Sequence, residues 1–151
     1  MNFYNSVFVS ALVGWGVAQI LKTILFLIFT RNFRFERLFG AGGMPSSHSA
    51  MVCAAVAAMA KLVPISSPEF AVMSVLALIV MYDAMSVRRA SGLHAREINK
   101  LNNLFGIKAE KYDNRKDKKL KEFLGHTPLE VFCGAVLGVA IGLAIPVAVL
   151  S

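Results

Sequence analysis

Residues 128–150 read PLEVFCGAVLGVAIGLAIPVAVL, a run in which Glu130 is the only charged side chain. A helix of this length crosses the roughly 30 Å hydrocarbon core of a bilayer. Glycines recur every four residues, at Gly134, Gly138 and Gly142, and small residues at that spacing let two helices approach closely. The stretch therefore predicts a transmembrane helix that packs tightly, either on another helix of the chain or on a second copy in a homodimer.

Three further apolar stretches precede this one, so the whole chain has a membrane pattern. Hydrophobic residues make up 56% of the 151 residues and charged residues 17%, against about 25% charged in a typical soluble domain. We expect an all-α fold, a single integral membrane helix bundle over residues 1–151 with about four transmembrane helices. The spans are predicted at 7–29, 47–63, 69–86 and 128–150, the first as a retained helix rather than a cleaved signal.

The positive charge is concentrated between the third and fourth predicted spans. Residues 86–128 hold eleven Lys and Arg against five Asp and Glu, a net +6 of the chain's +7. The positive-inside rule places this basic insertion, 88–125, in the cytoplasm. Within it, the apolar spacing over 93–105 predicts an amphipathic helix. No aromatic platform or known module favours nucleic-acid binding.

The first polar cluster precedes the second span. Ser46, Ser47 and His48 follow Pro45 at a predicted helix start. Serines there cap a helix, which is the simpler interpretation. The free N–H groups and the positive end of the helix dipole also bind phosphate, and capping does not explain His48. We therefore favour an anion site.

The second cluster opens the last span. His126 and Glu130 are four residues apart, so they share a helix face if the helix begins by His126. A carboxylate on one ring nitrogen would then fix the tautomer and free the other nitrogen as a nucleophile. The alternative is that His126 is an interfacial residue beside a packing stripe.

Cations and one carboxylate complete the set. Asp83, near the end of the third span, is predicted to pair with Arg88 or Arg89, and the arginine fork also suits phosphate oxygens. Lys22 either snorkels to the interface or reaches a polar pocket. Arg31, the first of three arginines in the next loop, either signals orientation or contacts phosphate.

These clusters all fall on one predicted face of the membrane. Two histidines, a ring of cations and a helix N-terminus suit phosphoryl transfer. The carboxylates are too few and scattered for a two-metal site, so we expect no metal and no cofactor.

At this point the residues resemble the type 2 phosphatidic acid phosphatase superfamily, which includes lipid phosphatases and vanadium haloperoxidases. Its motifs are K-x6-R-P, P-S-G-H and S-R-x5-H-x3-D. The segment Pro45-Ser46-Ser47-His48 resembles the second motif, with Ser47 in place of glycine. Lys22 with Arg31 is similar to the first, at a spacing of nine rather than seven and with no proline following.

The end of the third motif is also present in altered form. His126 and Glu130 resemble its H-x3-D, with glutamate in place of aspartate. Leu120 stands where the motif has its arginine, and Arg88 or Arg89 resembles a replacement across the inserted segment. The chain is similar to a divergent, four-span branch of the superfamily.

The resemblance implies a lipid phosphatase of the bacterial plasma membrane, and the charge bias predicts that its site is cytoplasmic. His126 would be the nucleophile that forms a phosphohistidine, Glu130 would orient it, and His48 would protonate the leaving group. The phosphoryl oxygens would be held by Lys22, Arg31, Ser46, Ser47 and Arg88 or Arg89. Phosphatidate, phosphatidylglycerophosphate and undecaprenyl pyrophosphate are candidate substrates. The alternative is a non-catalytic membrane assembly or lipid-binding protein that keeps the fold, which the departures from the motifs favour.

Overall fold

A computed structural model describes residues 5–31, 43–105, 120 and 125–147. Its helices are α1 (Ser6–Thr30), α2 (Ser47–Met59), α3 (Pro68–Met85), α4 (Val87–Leu104) and α5 (Pro128–Ala144). Within these ranges there is no strand, so the predicted all-α class is confirmed for the described part of the chain.

The four apolar helices begin at side-chain caps. The side chains of Asn5, Ser46, Ser67 and Thr127 each accept a hydrogen bond from the backbone N–H three residues further on. A proline also stands in the first turn of α3 and of α5, where its missing N–H costs nothing. Local sequence therefore fixes where these helices start.

Helix α2 is the centre of the bundle. Nine of its 13 residues are buried, most of them alanines. Glycines on both neighbouring helices permit this burial. A Cβ at Gly14 of α1 would lie 2.9 Å from the carbonyl oxygen of Ala50, so α1 and α2 pack almost backbone to backbone.

The glycine stripe of α5 lies on a matching stripe of α2. The facing pairs are Gly134 with Ser46, Gly138 with Ala50, and Gly142 with Ala54. Because the pairs advance together along both helices, α2 and α5 are parallel. The stripe forms an internal contact, so its alternative interpretation as a homodimer surface is wrong. A homodimer through another surface stays a prediction.

Helices α1 and α3 run antiparallel to α2. Lys22 of α1 lies against Gly43, just before α2, and the Cys53 and Met81 sulfur atoms are 3.8 Å apart. The end of the bundle where α2 and α5 begin, called here the histidine end, therefore also holds the end of α3. At the opposite end the Lys61 ammonium donates to the carbonyls of Leu143 (2.9 Å) and Ile145 (2.7 Å).

Two helical segments are long and apolar enough to cross a membrane. They are α1 and the run Pro68–Leu104, and only 22% and 11% of their most apolar windows are buried in the protein. Such low burial is not that of core helices in a soluble fold. The other two apolar helices are shorter: α2 ends at Met59 rather than at 63, and α5 at Ala144 rather than at 150. Crossing by all four stays a prediction.

Helix α4 is the predicted amphipathic helix, and it begins at Val87 rather than at 93, directly after Ser86. Its protein-facing side is small and polar: Gly92, Ala95 and Asn99 are buried, and the Asn99 amide exchanges two hydrogen bonds with the Leu120 backbone. Its apolar side chains are exposed, namely Val87, Leu93, Ile98, Leu101 and Leu104. Residues 106–119 and 121–124 of the basic insertion lie outside the described residues, as do Arg34 and Arg37, the other two arginines of the loop after the first span.

Candidate functional site

Two histidines face each other at the histidine end. His48 is the second residue of α2, and His126 precedes α5 by two residues. Their ring centroids are 6.4 Å apart with the rings nearly perpendicular, at 82°. Since α2 and α5 are parallel and in contact from their first turns, the glycine stripe sets this separation.

The backbone holds His126 in place. Its N–H donates to the carbonyl of Ala84 at the end of α3, at 2.9 Å. Gly125, at φ +87°, packs so closely on the backbone of Arg89 that a Cβ there would collide with it. The loop before α5 is therefore clamped between the end of α3 and the start of α4.

The His126 ring is buried, with 2% of the residue exposed. Within the described residues, neither of its ring nitrogens has a hydrogen-bond partner, and neither has Nδ1 of His48. Burial, and to a smaller extent the charges of Lys22, His48 and Arg88, lower the pKa of His126 to about 4. The imidazole is therefore neutral at physiological pH. Buried polar atoms without partners are costly, so their presence in both histidines calls for an explanation.

The predicted contact between Glu130 and His126 is wrong. Helix α5 begins only at Pro128, so the i, i+4 rule does not relate the two residues. The Glu130 carboxylate instead accepts the N–H of Thr127 at 2.9 Å and closes a capping box. The Glu130 backbone carbonyl does contribute to the site, because it accepts the Ser46 N–H at 3.0 Å and ties α5 to the start of α2.

The serines at the start of α2 have different positions. Ser46 is fully buried as the N-cap, and its hydroxyl contacts the Ser49 hydroxyl at 3.0 Å. Its N–H is bonded to Glu130, so Ser46 acts as a structural cap, which was the simpler interpretation. The N–H groups of Ser47 and His48 have no acceptor within the described residues. Unbonded N–H groups in the first turn of a helix are the groups that bind anions in other proteins.

Two cations lie close to the histidines. Lys22 is 4% exposed, and its aliphatic part lies against Gly43, so it is inside the protein rather than at the interface. Arg88 donates from Nε to the Asp83 carboxylate at 2.7 Å, which leaves its terminal nitrogens for a second acceptor. The sequence left Arg88 and Arg89 open as partners of Asp83, and the structure pairs Asp83 with Arg88.

Two predicted phosphate ligands are not brought to the histidines. Arg31 is exposed in a left-handed conformation at the end of α1, nine residues and thus about 13 Å along the axis beyond Lys22. Arg89 contributes its backbone to the contact with Gly125, while its side chain is exposed. The charges that act on His126 are those of Lys22 and Arg88.

Sequence reasoning missed the residues that position His126 through their backbone. These are Ala84, through its carbonyl, and Gly125, through its lack of a side chain. The only signal for them was the glycine directly before the histidine. No cluster of three or more metal-binding side chains occurs in the described ranges.

The fold and the site together define a helix bundle with a buried histidine pair at one end. The chain belongs to the Divergent PAP2 family, whose model matches residues 3–141, and the resemblance seen in the motifs is confirmed. It is 38% identical over 148 residues to the uncharacterized membrane protein YuiD of Bacillus subtilis (strain 168), a match covering 93% of this chain and 94% of that one. No solved structure matches the chain.

Proposed function

We propose that the protein is a membrane phosphatase that hydrolyses a phosphomonoester or pyrophosphate of a lipid or isoprenoid through a phosphohistidine, without a metal. The observation that carries the proposal is the pair His48 and His126, with ring centroids 6.4 Å apart, with buried ring nitrogens that lack partners in the described residues, and with the charges of Lys22 and Arg88 nearby. Family membership supports a phosphatase-like protein.

In the first step a ring nitrogen of His126 attacks phosphorus. A phosphorus–nitrogen bond forms, the bond from phosphorus to the ester oxygen breaks, and His48 gives that oxygen a proton. The depressed pKa of His126 keeps its nitrogen lone pair available for the attack. The His48 ring centroid is 6.4 Å from that of His126, so a phosphoryl group bonded to His126 would bring its leaving oxygen within reach of His48.

In the second step His48, now neutral, takes a proton from water. The hydroxide attacks phosphorus, the phosphorus–nitrogen bond breaks, and phosphate leaves with His126 restored. Lys22, Arg88 and the N–H groups of Ser47 and His48 would stabilise the equatorial oxygens in both steps. Because these groups are fixed before substrate arrives, little reorganisation is needed.

A membrane location makes a lipid the natural substrate. Helix α1 and the run Pro68–Leu104 are long and apolar enough to cross a bilayer, and the relative is named a membrane protein. The charge bias places the histidine end in the cytoplasm, where phosphatidate and phosphatidylglycerophosphate are accessible. Such a site disfavours outward-facing recycling of undecaprenyl pyrophosphate.

The second candidate is a protein that binds a lipid phosphate without turnover. Glu130 caps α5 and does not orient His126, and Ser47 replaces the glycine of the family motif. Both departures remove features that would support catalysis. The two candidates predict the same ligand and differ in whether phosphate is released.

Phosphate release from a lipid phosphate panel, by purified protein in detergent with EDTA, separates them. We expect release by the wild type, none by His126→Ala, and a decrease of about 10²- to 10⁴-fold for His48→Ala. His94→Ala is the matched control, because His94 is exposed on α4. Wild type denatured with detergent at alkaline pH during turnover should carry phosphate on His126, because the phosphorus–nitrogen bond is stable in alkali and hydrolyses in acid. Absence of release by folded wild type favours the binding protein, and release by His126→Ala contradicts the mechanism.

A further inference from the structure

An apolar groove of about 820 Å³ runs along the bundle between α3 and α5. Its lining includes Leu78, Met81 and Met85 from α3 and Pro128, Phe132 and Ala135 from α5. No lining side chain carries a charge, and Tyr82 supplies the only polar side-chain atom. Such walls suit a hydrocarbon ligand and offer nothing to a charged one.

One end of the groove lies beside the histidines. Met85 follows Ala84, whose carbonyl holds the N–H of His126, and Pro128 is two residues beyond His126. A molecule with its phosphate between the histidines would therefore have the groove directly in front of its next few carbons.

We propose that this groove binds the apolar chain of the phosphorylated substrate, in the part nearest the phosphate. The inference rests on the proposed function for the position of the phosphate. The occupant is a diacyl lipid phosphate, one of whose acyl chains enters sideways from the bilayer, since the groove lies between two helices with exposed apolar faces.

The length of the groove limits what it can recognise. From Pro128 to Ala135 it follows about two turns of α5, or about 10 Å, a third of the roughly 30 Å hydrocarbon core. The groove therefore contacts only the first part of a tail, and the remainder lies in the bilayer. Chain length should improve activity only until the groove is filled.

Photolabelling tests the site without requiring turnover. The probe is a phosphatidate with a diazirine on the part of its acyl chain nearest the glycerol, and labelled residues are mapped by mass spectrometry in wild type and in His126→Ala. We expect labels on α3 and α5 in the groove, displaced by unlabelled dioctanoyl phosphatidate and not by dioctanoyl glycerol. Equal labelling of the face around Val136, or no displacement, would overturn the proposal.

A tryptophan substitution that fills part of the groove allows a second test, in which kcat/KM is measured. Ile79 lines the groove and is 59% exposed, whereas Val136 is 54% exposed and lies outside it. Ile79→Trp should lower kcat/KM about tenfold for dioctanoyl phosphatidate and by less for dibutyryl phosphatidate, whose chains reach less of the groove; circular dichroism melting checks that the variant is folded. Val136→Trp should change neither. An equal loss for both substrates contradicts the groove.

The two proposals fail separately. If folded wild type releases no phosphate while displaceable labelling stays in the groove, the proposed function is wrong and the binding site stands. If the wild type hydrolyses lipid phosphates while labelling concentrates elsewhere, the groove is wrong and the phosphatase stands.

Discussion

At the residue scale, the position of His126 depends on backbone contacts rather than on a carboxylate. The Ala84 carbonyl and the close approach of Gly125 to α4 fix the loop, and within the described residues neither ring nitrogen has a hydrogen-bond partner. The tautomer of the ring is therefore not set by a carboxylate. For catalysis, one ring nitrogen must hold the proton while the other attacks phosphorus.

The ion pair between Asp83 and Arg88 gives a prediction at this scale. Asp83→Asn should lower kcat/KM for phosphate release roughly tenfold, because a bond to a charged group is worth about 1.5–3 kcal/mol and orients the Arg88 guanidinium. The pair is partly exposed, at 45% and 36% for the two side chains, so the free energy of unfolding should change by less than about 1 kcal/mol. Release assays and thermal unfolding in detergent measure the two effects.

A second ion pair provides the matched control. Lys100 and Glu97 lie 2.6 Å apart on α4, with 54% and 64% of their side chains exposed. Glu97→Gln should leave both release and stability unchanged. If Asp83→Asn behaves like Glu97→Gln, or raises activity, Asp83 does not position Arg88 for catalysis.

The sequence was sufficient to select the histidines and insufficient to relate them to their neighbours. His48 and His126 stood out because capping and packing do not require an imidazole. The spacing rule failed for Glu130 because it holds only inside a helix, and the Thr127 cap starts α5 after His126. Arg88 and Arg89 could not be separated, since their choice depends on how α4 turns after Ser86.

At the element scale, the parallel contact of α2 and α5 determines the site. His48 lies in the first turn of α2, and His126 lies just before α5. The first facing pair of the stripe, Gly134 with Ser46, is directly beside the two histidines. The sequence predicted the glycine stripe of α5 but not the helix on which it packs. The facing residues of α2 are small residues at the same spacing, and they do not stand out in a segment that is rich in alanine. A change in this contact should therefore alter both stability and catalysis.

Gly138→Ala tests the α2–α5 contact. A Cβ at this position would collide with the Ala50 carbonyl oxygen, so the helices must separate. Overpacking of this kind costs about 1–3 kcal/mol, and we expect a lower unfolding temperature together with reduced phosphate release. Circular dichroism melting in detergent and the release assay report on both.

Gly16→Ala is the control for that substitution. Gly16 is also a helical glycine, on α1, and a Cβ there would meet nothing within 4 Å. Its unfolding temperature should be unchanged or slightly higher, because alanine is a better helix former by about 1 kcal/mol. If Gly138→Ala matches Gly16→Ala, close packing of the stripe is not what sets the distance between the histidines.

At the scale of the whole molecule, each helix brings one part of the site to the same end. The chain reaches the histidine end with Lys22 of α1, leaves it with His48, returns with Asp83 and leaves again after His126. The sequence predicted this convergence because two basic loops fall on one side of any four-span arrangement. The 13-residue α2 can be short because its neighbours bury it, so its length does not have to match the bilayer.

Orientation in the membrane is the last prediction. Two exposed positions can report on the two ends of the bundle. Asn103 lies on α4 near the histidine end, and Ile65, 72% exposed, lies between α2 and α3 at the other end. Cys53→Ala and Cys133→Ala remove the native thiols. In intact cells a membrane-impermeant maleimide should label the protein with Ile65→Cys and not the one with Asn103→Cys, because the positive-inside rule retains the basic insertion in the cytoplasm. Both should be labelled after permeabilisation.

Labelling of Asn103→Cys alone in intact cells would place the histidines outside and contradict the charge-based orientation. Outward-facing lipid pyrophosphates would then be the favoured substrates.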